Sequence, residues 1–162
     1  MFKFALSICL IAAGVSAQQI YTFGMVGIAE GQTARVNALN PGVAPPALGV
    51  ICPAQLTFLD GQGNVLKTAT VSVLPGKESF LDVVAINDLS LAIDQRKQIR
   101  ATITIPPFTV PPPNPTTTPI ATACTLIGTL EIFDTISGKT QVVLGGTHLV
   151  PGLTATPTPV TP

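Results

Sequence analysis

The sequence predicts an all-β fold: a single antiparallel β-sandwich of about eight strands, with at most one short helical turn. Three observations lead there. Apolar residues recur at every second position through most of the chain and almost nowhere at helical spacing. The alternating segments are separated at short intervals by Gly, Pro, Asn and Asp turn chemistry. Only 10% of the residues are charged against 46% apolar, a balance that suits strands buried on one face and plain on the other.

Ahead of the first strand, Lys3 supplies a positive charge, Phe4 to Val15 an apolar run, and Val15-Ser16-Ala17 a small-residue cleavage motif. Together these read as a signal peptide over residues 1–17, cleaved after Ala17. The run is shorter than the roughly 20 residues that span a bilayer and no second run follows, so no stable membrane anchor is expected. Cys9 lies inside the apolar run with no small-residue motif before it, and is expected to leave with the signal rather than carry lipid. The mature protein is therefore expected to be secreted, extracellular or periplasmic. It should comprise one domain over residues 18–150 and a disordered Thr/Pro-rich tail over residues 151–162.

Within the domain, Ile99 to Ile105 places apolar side chains at every second position, and Gln32 to Ala38 does the same with smaller residues. Ile20 to Ile28, Gln55 to Asp60, Val65 to Leu74, Ser79 to Ile86, Leu126 to Asp134 and Thr140 to Leu144 complete the set of strands. Asp60-Gly61-Gln62-Gly63-Asn64 and Ser137-Gly138 close hairpins, and Pro75-Gly76 presets a type II turn. Asn87 to Lys97 is the one segment that admits a helix. Either Asn87 caps a single turn carrying Leu89, Leu91 and Ile93, or the segment is a loop crossing between sheets. Two hairpins look alike: Leu56 to Asp60 follows Cys52, Leu130 to Asp134 follows Cys124, and each runs into a glycine turn. Turn chemistry of this kind recurs readily and does not require a duplication.

Once the signal is removed, Cys52 and Cys124 remain, an even count in an oxidising compartment, and they are expected to form a disulfide. Strand parity agrees. If each connection reverses direction, the connection after the second strand (Pro41 to Pro53) and the one after the sixth (residues 106–123) leave by the same end, and each runs up to a cysteine. In the second of these, seven of the 14 residues from Pro106 to Pro119 are proline, a composition that favours polyproline II. It presents Phe108 and Val110 beside Pro111, Pro112 and Pro113, the candidate partner-binding loop; the alternative is a rigid spacer.

With Gly31-Gln32-Thr33-Ala34-Arg35-Val36 as its second strand, the stretch from Ile20 to Leu149 resembles the immunoglobulin-like β-sandwiches of secreted bacterial proteins of unknown function. The resemblance is architectural. It implies that the two proline-rich connections lie side by side at the pole where antibodies bind antigen. It does not bring that family's inter-sheet disulfide with it: there is no Trp, no Tyr two residues before Cys124, and Cys52 lies ahead of the third strand.

Chemistry-bearing motifs are sparse. His148 is the only histidine, with no Gly-x-Ser-x-Gly elbow, so nucleophilic catalysis lacks a base. One His and two paired cysteines do not make a zinc site. Asp60 to Asn64 lacks the alternating acidic positions and terminal Glu of a calcium loop. Sugar chemistry would want aromatic platforms, and the only Tyr is Tyr21. Without Lys3, acidic residues exceed basic ones by one, and the single basic cluster, Arg96, Lys97 and Arg100, is too small to track nucleic acid. No metal, cofactor or enzyme activity is expected. Asn114 is followed by Pro115, which excludes N-linked sugar there, while the Thr/Pro segments are open to O-linked sugar. The expected function is that of a secreted non-catalytic structural or interaction module whose partner is an extracellular protein or surface polymer. Two alternatives stand beside it: a subunit that polymerises by strand addition through the glycine-interrupted first strand, and a carbohydrate- or peptide-binding module.

Overall fold

The computed structural model describes residues 18–42, 50–107 and 124–149. The signal segment with Ala17, the tail, and the loop residues Phe108, Val110, Pro111, Pro112 and Pro113 lie outside them. The described chain forms ten strands and one short helix: β1 (Gln19–Thr22), β2 (Val26–Ala29), β3 (Gln32–Leu39), β4 (Cys52–Asp60), β5 (Val65–Val73), β6 (Glu78–Val84), α1 (Ala85–Leu89), β7 (Arg96–Ile105), β8 (Ile127–Asp134), β9 (Thr140–Gly145) and β10 (Thr147–Leu149). All pairings are antiparallel, in two sheets. The first runs β10-β1-β7-β4-β5, with β2 also paired to β7, and the second runs β6-β3-β8-β9.

This is the all-β sandwich that the alternation predicts. Ala34, Val36 and Ala38 of β3 and Leu130 and Ile132 of β8 are buried from one side; Leu56 and Phe58 of β4 and Ile99, Ala101, Ile103 and Ile105 of β7 are buried from the other. The immunoglobulin likeness holds at the level of two packed antiparallel sheets. The strand order is the chain's own: β9 and β10, the last two strands described, lie in opposite sheets, where the immunoglobulin order keeps its last two strands together in one.

Two of the expected elements take a different form. The segment Ile20 to Ile28 is two strands, because Phe23-Gly24-Met25 places three residues against two of β7. The extra residue shifts the parity, so Tyr21 and Phe23 point inward before it and Ile28 after it. Thr147–Leu149 adds a strand on the far side of β1, which therefore has partners on both edges, so the open edge expected of the first strand is closed over Ile20 to Thr22, while among the described residues β2 pairs with β7 alone. The helix starts at Ala85, not after Asn87, and Asn87 lies inside it. The backbone N–H of Val84 donates to the Asp88 carboxylate (2.7 Å), and Ser90 closes the turn in the left-handed region. The segment is also the crossing between sheets, taking the chain from β6 to β7.

Phe23 closes the end of the sandwich between β1 and β9. Its N–H donates to the Ala101 carbonyl, and its ring occupies the space that side chains at Gly128 and Gly146 would need: a Cβ at Gly128 would stand 2.8 Å from both Phe23 Cζ and Ile103 Cδ1, and one at Gly146 2.9 Å from the same ring. A side chain at 128 must displace buried neighbours, so Gly128→Ala is expected to cost about 1–3 kcal/mol. Phe23→Ala, which opens a cavity instead, is expected to cost about 3–5 kcal/mol. Urea unfolding checks both; a Gly128→Ala protein as stable as wild type would show that the ring does not seat there.

The two similar hairpins occupy equivalent places. β4 pairs with β7 and β5 as β8 pairs with β3 and β9, and both hairpins carry a register shift at the same point, between Phe58 and Leu59 and between Ile132 and Phe133. The likeness extends to the neighbouring strands, where Ala34, Val36 and Ala38 match Ala101, Ile103 and Ile105 in place and burial. Each hairpin is closed by an aspartate. Asp60 accepts from the N–H groups of Gln62 and Asn64 (2.8 and 2.9 Å), and Asp134 from the N–H (2.7 Å) and hydroxyl (2.8 Å) of Ser137. The Asn64 side chain and backbone hold the Asp60 carboxyl below its ordinary range, and Ser137 does the same for Asp134. For Asp88, burial works against the charge, but the Val84 N–H and the Lys67 ammonium outweigh it and leave the carboxyl lowered as well.

A carboxyl depressed in the folded state contributes stability that is complete above its unfolded value, near about pH 4, and is lost as pH falls through the folded value. Stability should therefore hold steady from neutral pH down to about pH 5 and decline below about pH 4. A protein carrying Asp60→Asn and Asp134→Asn should show a shallower acid decline. Denaturation series at stepped pH test this, and an undiminished wild-type midpoint at about pH 2 would contradict it.

Candidate functional site

Cys52, at the start of β4, and Cys124, just before β8, form a disulfide with Cα atoms 5.7 Å apart, both 2% exposed. Around it Asn40, itself buried, acts as a hub. Its side-chain amide donates to the carbonyls of Val50 (2.9 Å) and Val73 (3.1 Å), and its side-chain oxygen accepts from the N–H of Gly42 (3.2 Å). Its backbone pairs with Gly76 and Lys77, bringing Gly42 so close that a Cβ there would lie 2.9 Å from the Gly76 nitrogen. Buried polar groups are tolerated when they are all bonded, and here one side chain joins the end of β3, the start of β4 and the end of β5.

The parity argument holds for the described ends of the connections. Leu39 stands opposite Ile127, and Thr104 opposite Gln55, so β3 and β7 both end at the cysteine pole. Gln19 opposite Ile105 and Leu149 opposite Ile20 bring the chain's first and last described strands to the same pole.

The two outer faces differ. Across the β1/β7/β4/β5 sheet a row of threonines, Thr22, Thr102, Thr57 and Thr68, stands side by side. Across the β6/β3/β8/β9 sheet the centre is Arg35. Its guanidinium makes a two-pronged ion pair with Asp82 on β6, both bonds 2.7 Å. It also lies over two rings, 3.9 Å from the Phe80 centroid and 5.3 Å from that of Phe133. The hydrogen bonds it donates to Asp82 outweigh the cost of partial burial and raise the Arg35 pKa further, so the group is a fixed cation. On the other side Asn37 donates to Thr129 (3.1 Å) and Glu131 (2.9 Å). Phe80, Leu39, Ile127 and Val143 are exposed on this face, with Phe80 49% accessible although the Arg35 guanidinium lies over one side of its ring.

Sequence reasoning reached the cysteines but missed this face. The available signal was the adjacent pair Phe80-Leu81: in a strand one of two consecutive large apolar residues must point outward, and here it is Phe80. The Asp60 loop uses its carboxylate on its own turn, as a hairpin does. Among the described residues no group of three or more His, Cys, Asp and Glu is placed to hold a metal ion, and no helix is long and apolar enough to cross a membrane. His148 lies in β10, opposite Tyr21. No family model, no curated protein and no solved structure matches this chain.

The disulfide closes a loop of 72 residues, for which chain entropy predicts about 4 kcal/mol. Replacing both cysteines by alanine is expected to lower the unfolding free energy by about 2–4 kcal/mol without changing the strand content seen by circular dichroism. An equal stability for the two proteins would refute a structural role for the bond.

Proposed function

We propose that this chain is an exported, non-catalytic interaction module that docks an extracellular protein through the outer face of the β6/β3/β8/β9 sheet. The observation that carries the reading is the Phe80–Arg35–Phe133 group, in which Phe80 is exposed and Arg35 and Phe133 are half-buried. Arginine and aromatic side chains recur at the energetic centres of protein interfaces, and they contribute most when they are already held in place. Arg35 is held by Asp82 and by the two rings, so little side-chain freedom remains to be lost on docking. Leu39, Ile127 and Val143 supply apolar surface around it, and Glu131 and Asn37 supply polar groups. The disulfide supports export, since such bonds persist in oxidising compartments.

Phe80→Glu tests the reading because Phe80 is half exposed and can change without opening the core. Co-precipitation from the native host's extracellular protein, followed by titration of the recovered partner, is expected to show binding weakened by at least about 30-fold, a typical loss for an aromatic anchor. A partner bound equally well by wild type and Phe80→Glu would move the docking surface elsewhere. Binding to a purified polysaccharide but to no protein would favour a carbohydrate module instead.

A further inference from the structure

An open sheet edge offers unpaired N–H and C=O groups to any passing strand, and proteins guard such edges with charge, proline, shortness or a covering element. Most edges here are guarded. β10 is three residues long and β2 four; β5 carries Lys67 on its inner-facing row, opposite Phe58 and bonded to Asp88; β6 carries Glu78 and Asp82. β9 is different. Thr140-Gln141-Val142-Val143-Leu144-Gly145 has neither a charge nor a proline, and all of it except Leu144 is exposed, with Val143 58% accessible. Its register shift lies at the turn end, leaving Val142 to Gly145 in regular pairing with β8.

The free groups can be assigned. The Gly146 N–H donates to the Gly128 carbonyl, so by antiparallel alternation Val142 and Leu144 turn their backbone groups toward β8. Val143 and Gly145 therefore turn theirs away from β8, where no described strand pairs with them.

We propose that two copies of this chain pair through β9, antiparallel about a two-fold axis that sets Val143 opposite Val143, making one eight-stranded sheet from two four-stranded ones. The occupant is a second copy because the strand is complementary to itself in that register. Val143 exchanges both backbone hydrogen bonds with its counterpart, Val142 meets Leu144 on the inner face, and Gln141 meets Gly145 on the outer. No like charges approach: at about 3.4 Å per residue the two Lys139 residues stand about 27 Å apart, well beyond the screening length. Without Lys3 acidic residues exceed basic ones by only one, so little long-range repulsion opposes the approach of two copies. Both Phe80–Arg35–Phe133 groups then lie on one continuous face, so a dimer would present the docking surface twice. That consequence rests on the function proposed above; the pairing does not.

Light scattering over a concentration series reaching about 1 mM reads the pairing without any partner. Wild type is expected to approach twice the monomer mass. Val143→Lys places two ammonium groups opposite each other and should weaken association on the order of 100-fold or more, and Val143→Glu should do the same with two carboxylates. An equal mixture of the two variants is expected to recover the double mass, which a misfolded protein would not do. A wild-type monomer throughout the series, or a Val143→Lys protein that dimerises as well as wild type, would overturn the proposal. Failure of the pairing leaves the Phe80 reading intact, and failure of the Phe80 reading leaves the pairing intact.

Discussion

The Cys52–Cys124 bond joins the starts of β4 and β8, interior strands of opposite sheets, and the sandwich is organised around that tie. Two sheets that bury one face each need their separation and register fixed somewhere, since apolar contact alone is non-directional. Here the fixing is covalent at one pole and reinforced by Asn40, whose side chain and backbone draw β3, β4, β5 and the turn at Gly76 to the same point. The opposite pole has no such bond. It is closed by short hairpins whose aspartates satisfy the turn N–H groups, so the two ends are held by different physics.

Equivalent placement of the β4/β5 and β8/β9 hairpins gives the fold an internal balance. Each sheet receives one of the two hairpins on a central strand with a buried apolar row, Ala34-Val36-Ala38 in one and Ala101-Ile103-Ile105 in the other. The alanine that begins each row stands opposite a large side chain of the hairpin, Ala34 opposite Ile132 and Ala101 opposite Phe58. The balance breaks where β6 lies beside β3 while β1 and β2 together take the corresponding place beside β7. That seam is filled by Phe23, and the glycines at 128 and 146 make sense only as the space its ring takes.

Much of this was legible in the sequence, and the misses have physical reasons. Alternation located the strands because a half-buried strand imposes period two whatever its neighbours are. It could not show that Ile20 to Ile28 is broken, because a one-residue insertion exchanges the faces while leaving both halves apolar at alternate positions. The helix start was displaced because Asn87 has the side chain of a cap, whereas the group that satisfies the first turn is Asp88, one residue on and inside the helix. The cysteine pairing could be read because compartment, count and parity all bear on it. The Arg35 face could not, since its members come from β3, β6 and β8 and meet only through the strand order, which no local pattern encodes.

Low charge links the candidate surface to the open edge. A chain with 10% charged residues cannot guard every edge, and four of the charges it has are used in ion pairs: Arg35 with Asp82, Lys67 with Asp88. Both pairs serve the side of the molecule around β6 and β5, one holding the stacked face rigid and the other anchoring α1 beside an edge strand. No charged residue falls within β9. A protein that placed charge for solubility alone would have interrupted a six-residue uncharged edge before it reinforced an already half-buried face. Of the exposed large apolar residues that lie within strands, all but Val65 fall on one sheet, on its face and along one edge. That is the arrangement expected of a module whose contacts with other molecules are made there.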